Sequence, residues 1–230
     1  MALFITFEGI EGSGKTTQIK ILSKYLKSLG IKHILTREPG GTDFGNKLRE
    51  LVLIPRFKSL EPLTELCIML AARCDHVSKI IKKNLERGFL VLCDRFTDAT
   101  IAYQGGGRKI DKRLIKKLND LVTFGIKPNL TFLLDLPAEK GLKRARRRLS
   151  EVKSSQRESR FENETIKFHR RVRKAYLTLF KNNRRRIQKI NAEKTASEIA
   201  EEIKGIILNE LKLSKRTAKS GKRALKIRRK

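Results

Sequence analysis

A glycine-rich segment near the amino terminus carries the residue types best suited to chemistry in this chain. Residues 9–16 read GIEGSGKT; the apolar run LFITF precedes them, and apolar residues at helical spacing follow. In the pattern G-x-x-x-x-G-K-[ST], Gly9 and Gly14 adopt backbone conformations closed to other residues, so that successive N–H groups converge on phosphate oxygens at a helix amino terminus. A chance glycine turn is the alternative, but strand, loop and helix occur in the order that phosphate binding requires.

The side chains of this loop have separate expected roles. Lys15 is expected to reach the β- and γ-phosphates of a nucleoside triphosphate, and the Thr16 hydroxyl to hold Mg²⁺. The predicted nucleotide-binding residues of the segment are Gly9, Ile10, Glu11, Gly12, Ser13, Gly14, Lys15, Thr16 and Thr17. The segment predicts a bound nucleoside triphosphate and leaves the fate of its phosphate open.

A second segment, CDRF at residues 93–96, lies at the carboxyl end of a predicted strand. An acidic residue there lies beside the phosphate loop in a doubly wound sheet, so Asp94 is the second candidate for holding Mg²⁺. Arg95 is either a structural ion-pair partner or a phosphate-binding guanidinium, and its place at a strand terminus favours phosphate. Two phosphate-binding cations at one crevice indicate two phosphates, as a kinase needs.

The elements that position these residues follow from the apolar pattern. Nearly continuous apolar runs alternate with segments of helical period, and they occupy residues 3–7, 33–36, 89–93, 130–136 and, weakly, 186–190. Such strands, separated by helices, predict an α/β fold with a parallel sheet covered on both faces. Predicted core faces of the helices include Ile19, Leu22, Tyr25, Leu26 and Leu29; Val77, Ile80, Ile81 and Leu85; Leu114, Ile115, Leu118 and Leu121; and Ile199, Ile203, Ile206 and Ile207.

Composition bounds the class of protein. The chain has 230 residues, of which 39% are apolar and 34% charged, which is typical of one soluble domain. No run approaches a membrane span, and the first residues lack the pattern of a secretory signal, so a cytoplasmic location without membrane contact is expected. Three cysteines and three histidines show no metal-ligand spacing, so buried free thiols are expected.

The charge balance is strongly basic and unevenly distributed. The formal net charge is +30, and ten Lys and Arg lie in the acid-free segment 212–230, called the tail below. This composition predicts a disordered appendage to a domain of residues 1–211. The basic surplus suits anionic ligands such as nucleotides, and equally suits nonspecific contact with nucleic acid through the tail.

Three further motifs resemble one family. TREPGGT (36–42), AAR (71–73) and TIAYQGGGR (100–108), taken with FEGIEGSGKTTQ and DRF, are similar in order and spacing to the bacterial thymidylate kinases, from residue 1 to about Leu211. The resemblance implies a P-loop NTPase fold with a five-stranded parallel sheet of order 2-3-1-4-5 and a lid. It also implies a homodimer that converts ATP and dTMP to ADP and dTDP for dTTP synthesis.

The resemblance also assigns residues to the acceptor site. Arg37 and Arg95 would bind the dTMP phosphate, Glu11 would approach the 3′-hydroxyl, and Tyr103 would close against C2′. Arg73 would meet thymine O4, while Thr100 and Gln104 would contact the base. The structural alternatives are a core role for Tyr103 and a helix cap for Thr100. The family has phenylalanine stacked on thymine where this chain has Met69, so some stacking energy should be missing.

A basic segment, residues 141–164, fits the family's lid in position and composition. Its expected closing cations are Arg144, at ATP, with Arg148 and Arg160 as catalytic candidates beside Lys15 and Arg95. They would supply the charge that eukaryotic relatives carry as an arginine at the position of Gly12. A solvated basic helix is the alternative, and Asn191 replaces the family's usual aspartate in the adenine-side loop.

Two functions of other kinds compete with this one. A basic P-loop protein that binds nucleic acid would have no use for the acceptor-site motifs, which favours the kinase. Another deoxynucleoside monophosphate kinase would keep those motifs and change only the base preference.

Overall fold

The structure, a computed structural model, describes residues 2–57, 60–151 and 159–227, and for residues 212–227 it describes only the course of the backbone. The strands are β1 (Phe4–Glu8), β2 (His33–Arg37), β3 (Leu90–Asp94), β4 (Leu130–Asp135) and β5 (Ile187–Asn191). The predicted apolar runs agree with these bounds to within one residue at each end.

The strands form one parallel sheet in the order β2-β3-β1-β4-β5, which confirms the predicted fold. Every residue of β1 is buried, as expected for a central strand with helices on both faces. The register pairs Arg37 with Asp94 and Asp94 with Phe7. The carboxyl ends of β2, β3 and β1 therefore meet at one edge of the sheet, where ligands bind in open α/β sheets.

Helices fill the connections between the strands. Their bounds are α1 (Lys15–Ser28), α2 (Asp43–Leu53), α3 (Pro62–His76), α4 (Lys82–Glu86), α5 (Thr97–Thr100), α6 (Lys112–Val122), α7 (Ala138–Glu151), α8 (Ile166–Asn182) and α9 (Ala196–Ile227). Side-chain caps begin several of them; for example, Thr42 accepts from the Gly45 N–H and Thr165 from the Phe168 N–H. A wide π-helical stretch, Ile101–Gly107, follows α5 and carries buried Tyr103 into the site.

Parts of the predicted core faces are wrong. Leu29 is 45% exposed because α1 ends at Ser28, one residue before it. Leu114 and Leu121 on α6 are 42% and 71% exposed, because this helix turns a face bearing Ile115 toward the core. Of the thiols expected to be buried, Cys67 is exposed.

Helix α9 differs most from its prediction. It runs to Ile227 and so includes most of the tail, which the sequence indicated to be disordered. The physical reason is that Lys, Arg, Ala and Leu are good helix formers and no proline interrupts the segment. The boundary of the domain at Leu211 stays a prediction. None of the helices in the described part of the chain is long and apolar enough to cross a membrane.

The predicted lid is divided between a helix and a stretch of turns. Its first half forms α7, and residues 159–165 form turns that lead into α8. Residues 152–158 lie outside the described residues. Helix α7 begins directly over the phosphate loop, since a Cβ placed on Gly12 would lie 2.2 Å from the carbonyl oxygen of Gly141.

Candidate active site

A cleft opens at the edge of the sheet where β1, β2 and β3 end. The residues predicted from the resemblance for the acceptor site all line it, namely Glu11, Arg37, Met69, Arg73, Arg95, Thr100, Tyr103 and Gln104. Lys15, Thr16, Asp94 and Arg148 line the same cleft. Two groups of residues, one inferred from a phosphate-binding pattern and one from a family resemblance, thus meet in one place.

The glycine-rich loop has the backbone that its sequence predicts. Gly9, Gly12 and Gly14 have φ angles of 140°, 69° and 91°, a region that residues with a Cβ rarely enter. At Gly9 a Cβ would also lie 2.5 Å from the Leu134 carbonyl oxygen. The close approach of α7 to Gly12 leaves no room for an arginine there, so a cation for the transferred group must come from another segment.

Lys15 lies folded over this loop. Its Nζ donates to the carbonyl oxygens of Gly9 at 3.1 Å and Ile10 at 2.8 Å, and the side chain is buried. Burial, with the nearby charge of Arg95, lowers the pKa of Lys15 to about 8. Within the part of the chain that the structure describes, Lys15 forms no ion pair, and a phosphate entering the loop would offer this ammonium an anionic partner.

The two predicted Mg²⁺ residues are in contact. The Thr16 hydroxyl donates to Asp94 Oδ2 at 2.8 Å. Among the described side chains, no three His, Cys, Asp or Glu residues form a metal site. A hydroxyl and a carboxylate beside a phosphate loop nevertheless fit Mg²⁺, which keeps several waters and takes its remaining oxygens from nucleotide phosphates.

Arg95 is held at the centre of the cleft. It adopts a φ of 70°, and its Nη1 donates to the Gly9 carbonyl at 2.8 Å and to the Tyr176 hydroxyl at 3.1 Å. Its Nη2 donates to the Tyr103 hydroxyl at 2.9 Å and to Glu11 Oε1 at 3.2 Å. These contacts fix the guanidinium next to the phosphate loop, as a phosphate-binding role requires. They also include an ion pair with Glu11, which is the structural role that the sequence left open for Arg95.

Glu11 projects from the loop into the same cluster. Oε1 accepts from the Tyr103 hydroxyl at 2.5 Å, and Oε2 lies 3.2 Å from His169 Nδ1 without the alignment of a hydrogen bond. Burial alone would raise the pKa of Glu11, but His169, Arg95 and Lys15 outweigh it and lower the pKa to about 2. This carboxylate is therefore anionic and oriented.

A second carboxyl, Glu8, lies beneath the loop at the end of β1. It accepts from the Phe96 N–H and the Tyr176 hydroxyl, each at 2.7 Å. Burial, followed by the charge of Asp98, raises the pKa of Glu8 to about 8. Since Tyr176 also accepts from Arg95, Glu8 belongs to the network that positions the Arg95 guanidinium.

Arg73 is buried at the far end of the cleft. Its Nε donates to Glu38 Oε2 at 2.7 Å, Nη1 to Thr100 and Asn119 at 2.8 and 2.6 Å, and Nη2 to the Phe96 carbonyl at 3.1 Å. With the described residues, these bonds use four of the five N–H groups of the guanidinium, which leaves one for a ligand oxygen. The Thr100 hydroxyl is thereby a partner of Arg73, where the alternative was a helix cap.

Glu38 supports Arg73 from the segment after β2. Its other oxygen lies 3.0 Å from His76 Nδ1. Burial would raise the pKa of Glu38, but the charge of Arg73 and the contact with His76 hold it below its ordinary value. The Arg73 charge is thus compensated inside the protein, as burial of a guanidinium requires.

Met69 is the half-buried residue of α3 that faces the cleft. Two neighbouring side chains could have covered the base in place of Met69, but both pack into the core. Leu70 packs with Leu66 and Ile115, and Phe96 packs with Phe4. The cleft therefore has a flexible thioether at the wall where the family resemblance implies a ring.

Sequence reasoning missed several residues that line the cleft: Glu38, Pro39, Arg49, Leu53, Ala99, Phe161 and Glu162. Arg49 is the most informative, because it adds a cation from α2 near the end of β2, where its Nη1 donates to the Pro39 carbonyl at 3.2 Å. In the sequence it is one charged residue on a helix. Such a residue is ordinarily found on a solvent-exposed helix face, so the sequence did not indicate a functional role.

The lid arginines lie in different places. Arg148 on α7 lines the cleft and donates to Glu162 at 3.3 Å. Arg144 donates to the Ala192 carbonyl at 3.0 Å, in the loop after β5 that was expected on the adenine side. Arg160 is buried and pairs with Glu65 at 2.7 Å, so in this arrangement it is a structural cation and its catalytic role stays a prediction.

Comparison with known proteins agrees with this geometry. The family model for thymidylate kinase matches residues 7–203. The chain is 48% identical over 208 residues to the thymidylate kinase of Pelobacter propionicus, covering 90% of this chain and 94% of that protein. It is 50% identical over 186 residues to that of Geotalea daltonii, with coverages of 81% and 87%.

A solved structure is similar as well. The crystal structure of thymidylate kinase from Ehrlichia chaffeensis matches with a TM-score of 0.70 and 37% sequence identity, over 90% of this chain and 98% of that one. The resemblance carried by the motifs is therefore confirmed over most of the sequence and in three dimensions, and the chain belongs to the thymidylate kinase family.

Proposed function

We propose that this chain transfers the γ-phosphoryl group of ATP to the phosphate of dTMP, giving ADP and dTDP for dTTP synthesis. The single observation that carries the proposal is the cleft, where the phosphate loop and the acceptor-site residues face the same space. Family membership supports it. A nucleic-acid-binding ATPase is not favoured, because it would not need a buried arginine and glutamine at the far end of the cleft.

On the donor side, the loop N–H groups and Lys15 bind the ATP phosphates. Thr16 and Asp94 would hold Mg²⁺, which supplies charge neutralisation for the phosphates when bound. Arg144 and the loop after β5 are expected near the adenine. Arg148 is the lid cation whose position on the cleft suits it to the transferring group.

On the acceptor side, Arg95 and Arg37 bind the dTMP phosphate. A phosphate with a second pKa of about 6 is mostly dianionic at neutral pH, so the acceptor needs no general base. Catalysis is then alignment of the two phosphates together with neutralisation of their charge. Glu11 receives the 3′-hydroxyl, and the base lies against Met69 with its polar edge toward Arg73 and Gln104.

An ADP-release assay across dTMP, dUMP, dCMP, dGMP and dAMP tests this function. We expect dTMP to be the preferred acceptor by kcat/KM. The remaining N–H of Arg73 matches O4 and rejects the amino group of dCMP and dAMP, and dUMP, which shares O4, tests the contribution of the 5-methyl group. Preference for another deoxynucleotide would contradict the proposed substrate, and ADP release independent of all acceptors would contradict a kinase.

Replacing Met69 by phenylalanine should tighten dTMP binding several-fold and leave ATP affinity unchanged. Base–aromatic stacking contributes about 1–3 kcal/mol in other proteins, and methionine already supplies part of it. Calorimetric titration of dTMP into both proteins measures the change, with Met69→Leu as a control that lacks a ring. Weaker binding by the phenylalanine variant would show that the wall is fitted to methionine.

ATP affinity should fall as the pH rises through about 8. Lys15 has a pKa of about 8 in the free protein, and bound phosphate favours its charged form. Binding above pH 8 must then include proton uptake, and the affinity should fall by up to about tenfold per pH unit, while below pH 7 this contribution is constant. Titrations at pH 8.5 in buffers of different ionisation enthalpy measure the uptake. Uptake that persists in Lys15→Met would assign it to another group, such as Glu8.

Three further expectations stay predictions: a homodimer, a cytoplasmic location and nonspecific contact of the basic tail with nucleic acid. The helical backbone through Ile227 is compatible with contact between the tail and nucleic acid. The positive charge of the tail is the reason to expect that contact.

A further inference from the structure

Glu65 is a fully buried carboxylate on α3, one turn before the cleft residue Met69. Its two oxygens share Arg108 and otherwise have different partners. Oε1 accepts from Gln104 Nε2 at 2.8 Å, and Oε2 accepts from Arg108 Nη2 at 3.1 Å and pairs with Arg160 Nη1 at 2.7 Å. Arg108 Nε lies between the two oxygens, 3.3 and 3.2 Å away.

This arrangement fixes the orientation of the Gln104 side-chain amide. A carboxylate only accepts hydrogen bonds, and an amide has a donating end and an accepting end. If the Gln104 amide turned over, its oxygen would face a carboxylate oxygen in a buried site. The hydrogen bond would then be lost, and the two oxygens would repel each other. The amide nitrogen is therefore held on Glu65, and the carbonyl oxygen is the end that is available to the cleft that Gln104 lines.

We propose that Glu65 is a positioning residue for base specificity, which acts by forcing Gln104 to present an acceptor to the cleft. Thymine carries an N–H donor at N3 beside an acceptor at O4, whereas cytosine carries an acceptor at N3 beside an amino donor. The fixed Gln104 acceptor pairs only with the first pattern, and Arg73, which lines the same cleft, has one remaining N–H for O4. This inference rests on the proposed function, because it concerns the acceptor of that reaction.

The substitution Glu65→Gln tests the inference with a change of few atoms. The amide oxygen of the new side chain would stay with Arg108 and Arg160, since both only donate. Its NH₂ group would then face Gln104, which must turn over and direct its own NH₂ into the cleft. The variant should lose affinity for an N3–H and gain tolerance of an N3 acceptor.

The measurement is the ratio of kcat/KM for dTMP to that for 5-methyl-dCMP, which keeps the methyl group and reverses the hydrogen-bonding pattern. We expect the ratio to fall by at least about tenfold in Glu65→Gln. Arg73 is present in the unmodified protein and in Glu65→Gln, so its contribution to the ratio cancels when the two proteins are compared. The matched control is Arg108→Gln, which removes another partner of Glu65 and leaves the Gln104 bond in place; it should lower thermal stability and leave the ratio within about twofold.

An unchanged ratio in Glu65→Gln, or an equal fall in Arg108→Gln, would overturn the inference while the dTMP activity of the unmodified protein upheld the proposed function. Absence of any dTMP activity in the unmodified protein would overturn both.

A second measurement avoids the substitution of Glu65. The chain contains four glutamines, so the Gln104 side-chain amide can be assigned by ¹⁵N NMR with Gln104→Met. Its protons should exchange slowly with and without dTMP; fast exchange in either state would overturn the inference.

Discussion

Arg95→Ala should reduce kcat/KM for dTMP by about a thousandfold. Removal of one preorganised donor at a developing charge costs about a hundred- to a thousandfold, and Arg95 additionally orients Glu11 and Tyr103. Of the two substrates, dTMP should lose the most affinity, because the guanidinium lies where the acceptor phosphate must approach the phosphate loop. Turnover assays and dTMP titration measure the two effects separately.

Arg95→Lys is the matched control for charge. A lysine keeps the positive charge and cannot reproduce a fork of donors to Gly9, Tyr176, Tyr103 and Glu11, so it should recover only a small part of the activity. The positive φ of residue 95 is present in all three proteins, so backbone strain does not distinguish Ala or Lys from Arg. Full recovery by lysine would show that Arg95 acts by charge alone.

Lys15→Ala should lower kcat by about a thousandfold and weaken ATP binding, with little effect on dTMP binding. The ammonium contacts phosphate oxygens whose charge grows during transfer, so its contribution is larger in the transition state than in the ground state. Single-turnover rates and ATP titration check the prediction. The control is Lys20→Ala on the exposed face of the same helix, which should leave both unchanged.

The two variants together test the assignment of roles. If Lys15→Ala impaired dTMP binding and Arg95→Ala impaired ATP binding, donor and acceptor sides would have to be exchanged. Equal losses for both ligands in both variants would indicate collapse of the cleft.

Local and periodic features of the fold could be predicted from the sequence. The central strands were visible because parallel strands buried on both faces are continuously apolar, as in β1. The phosphate loop was visible because its glycines are dictated by backbone conformation at Gly9 and Gly14. These signals lie within a few residues of one another, and no tertiary information is needed to interpret them.

Features that depend on packing between distant segments could not be predicted. The apolar spacing of α6 places Leu121 on one stripe with Leu114 and Leu118, but the sequence does not say which side of that stripe the neighbouring helices cover. Arg160 and Arg148 look alike within a basic segment, and only the fold brings the first to Glu65 and the second to the cleft. For the same reason, the part played by Glu65 in orienting Gln104 has no local signature.

The identity of the phosphorylated product tests the central claim most directly. Incubation of the full chain with [γ-³²P]ATP, Mg²⁺ and dTMP should move the label into dTDP, with one ADP formed for each dTDP. Arg95→Ala at the same concentration should give almost no labelled dTDP. Label that appears as inorganic phosphate at a rate independent of dTMP would contradict the account, because the cleft would then hydrolyse ATP and not transfer its phosphoryl group to a bound acceptor.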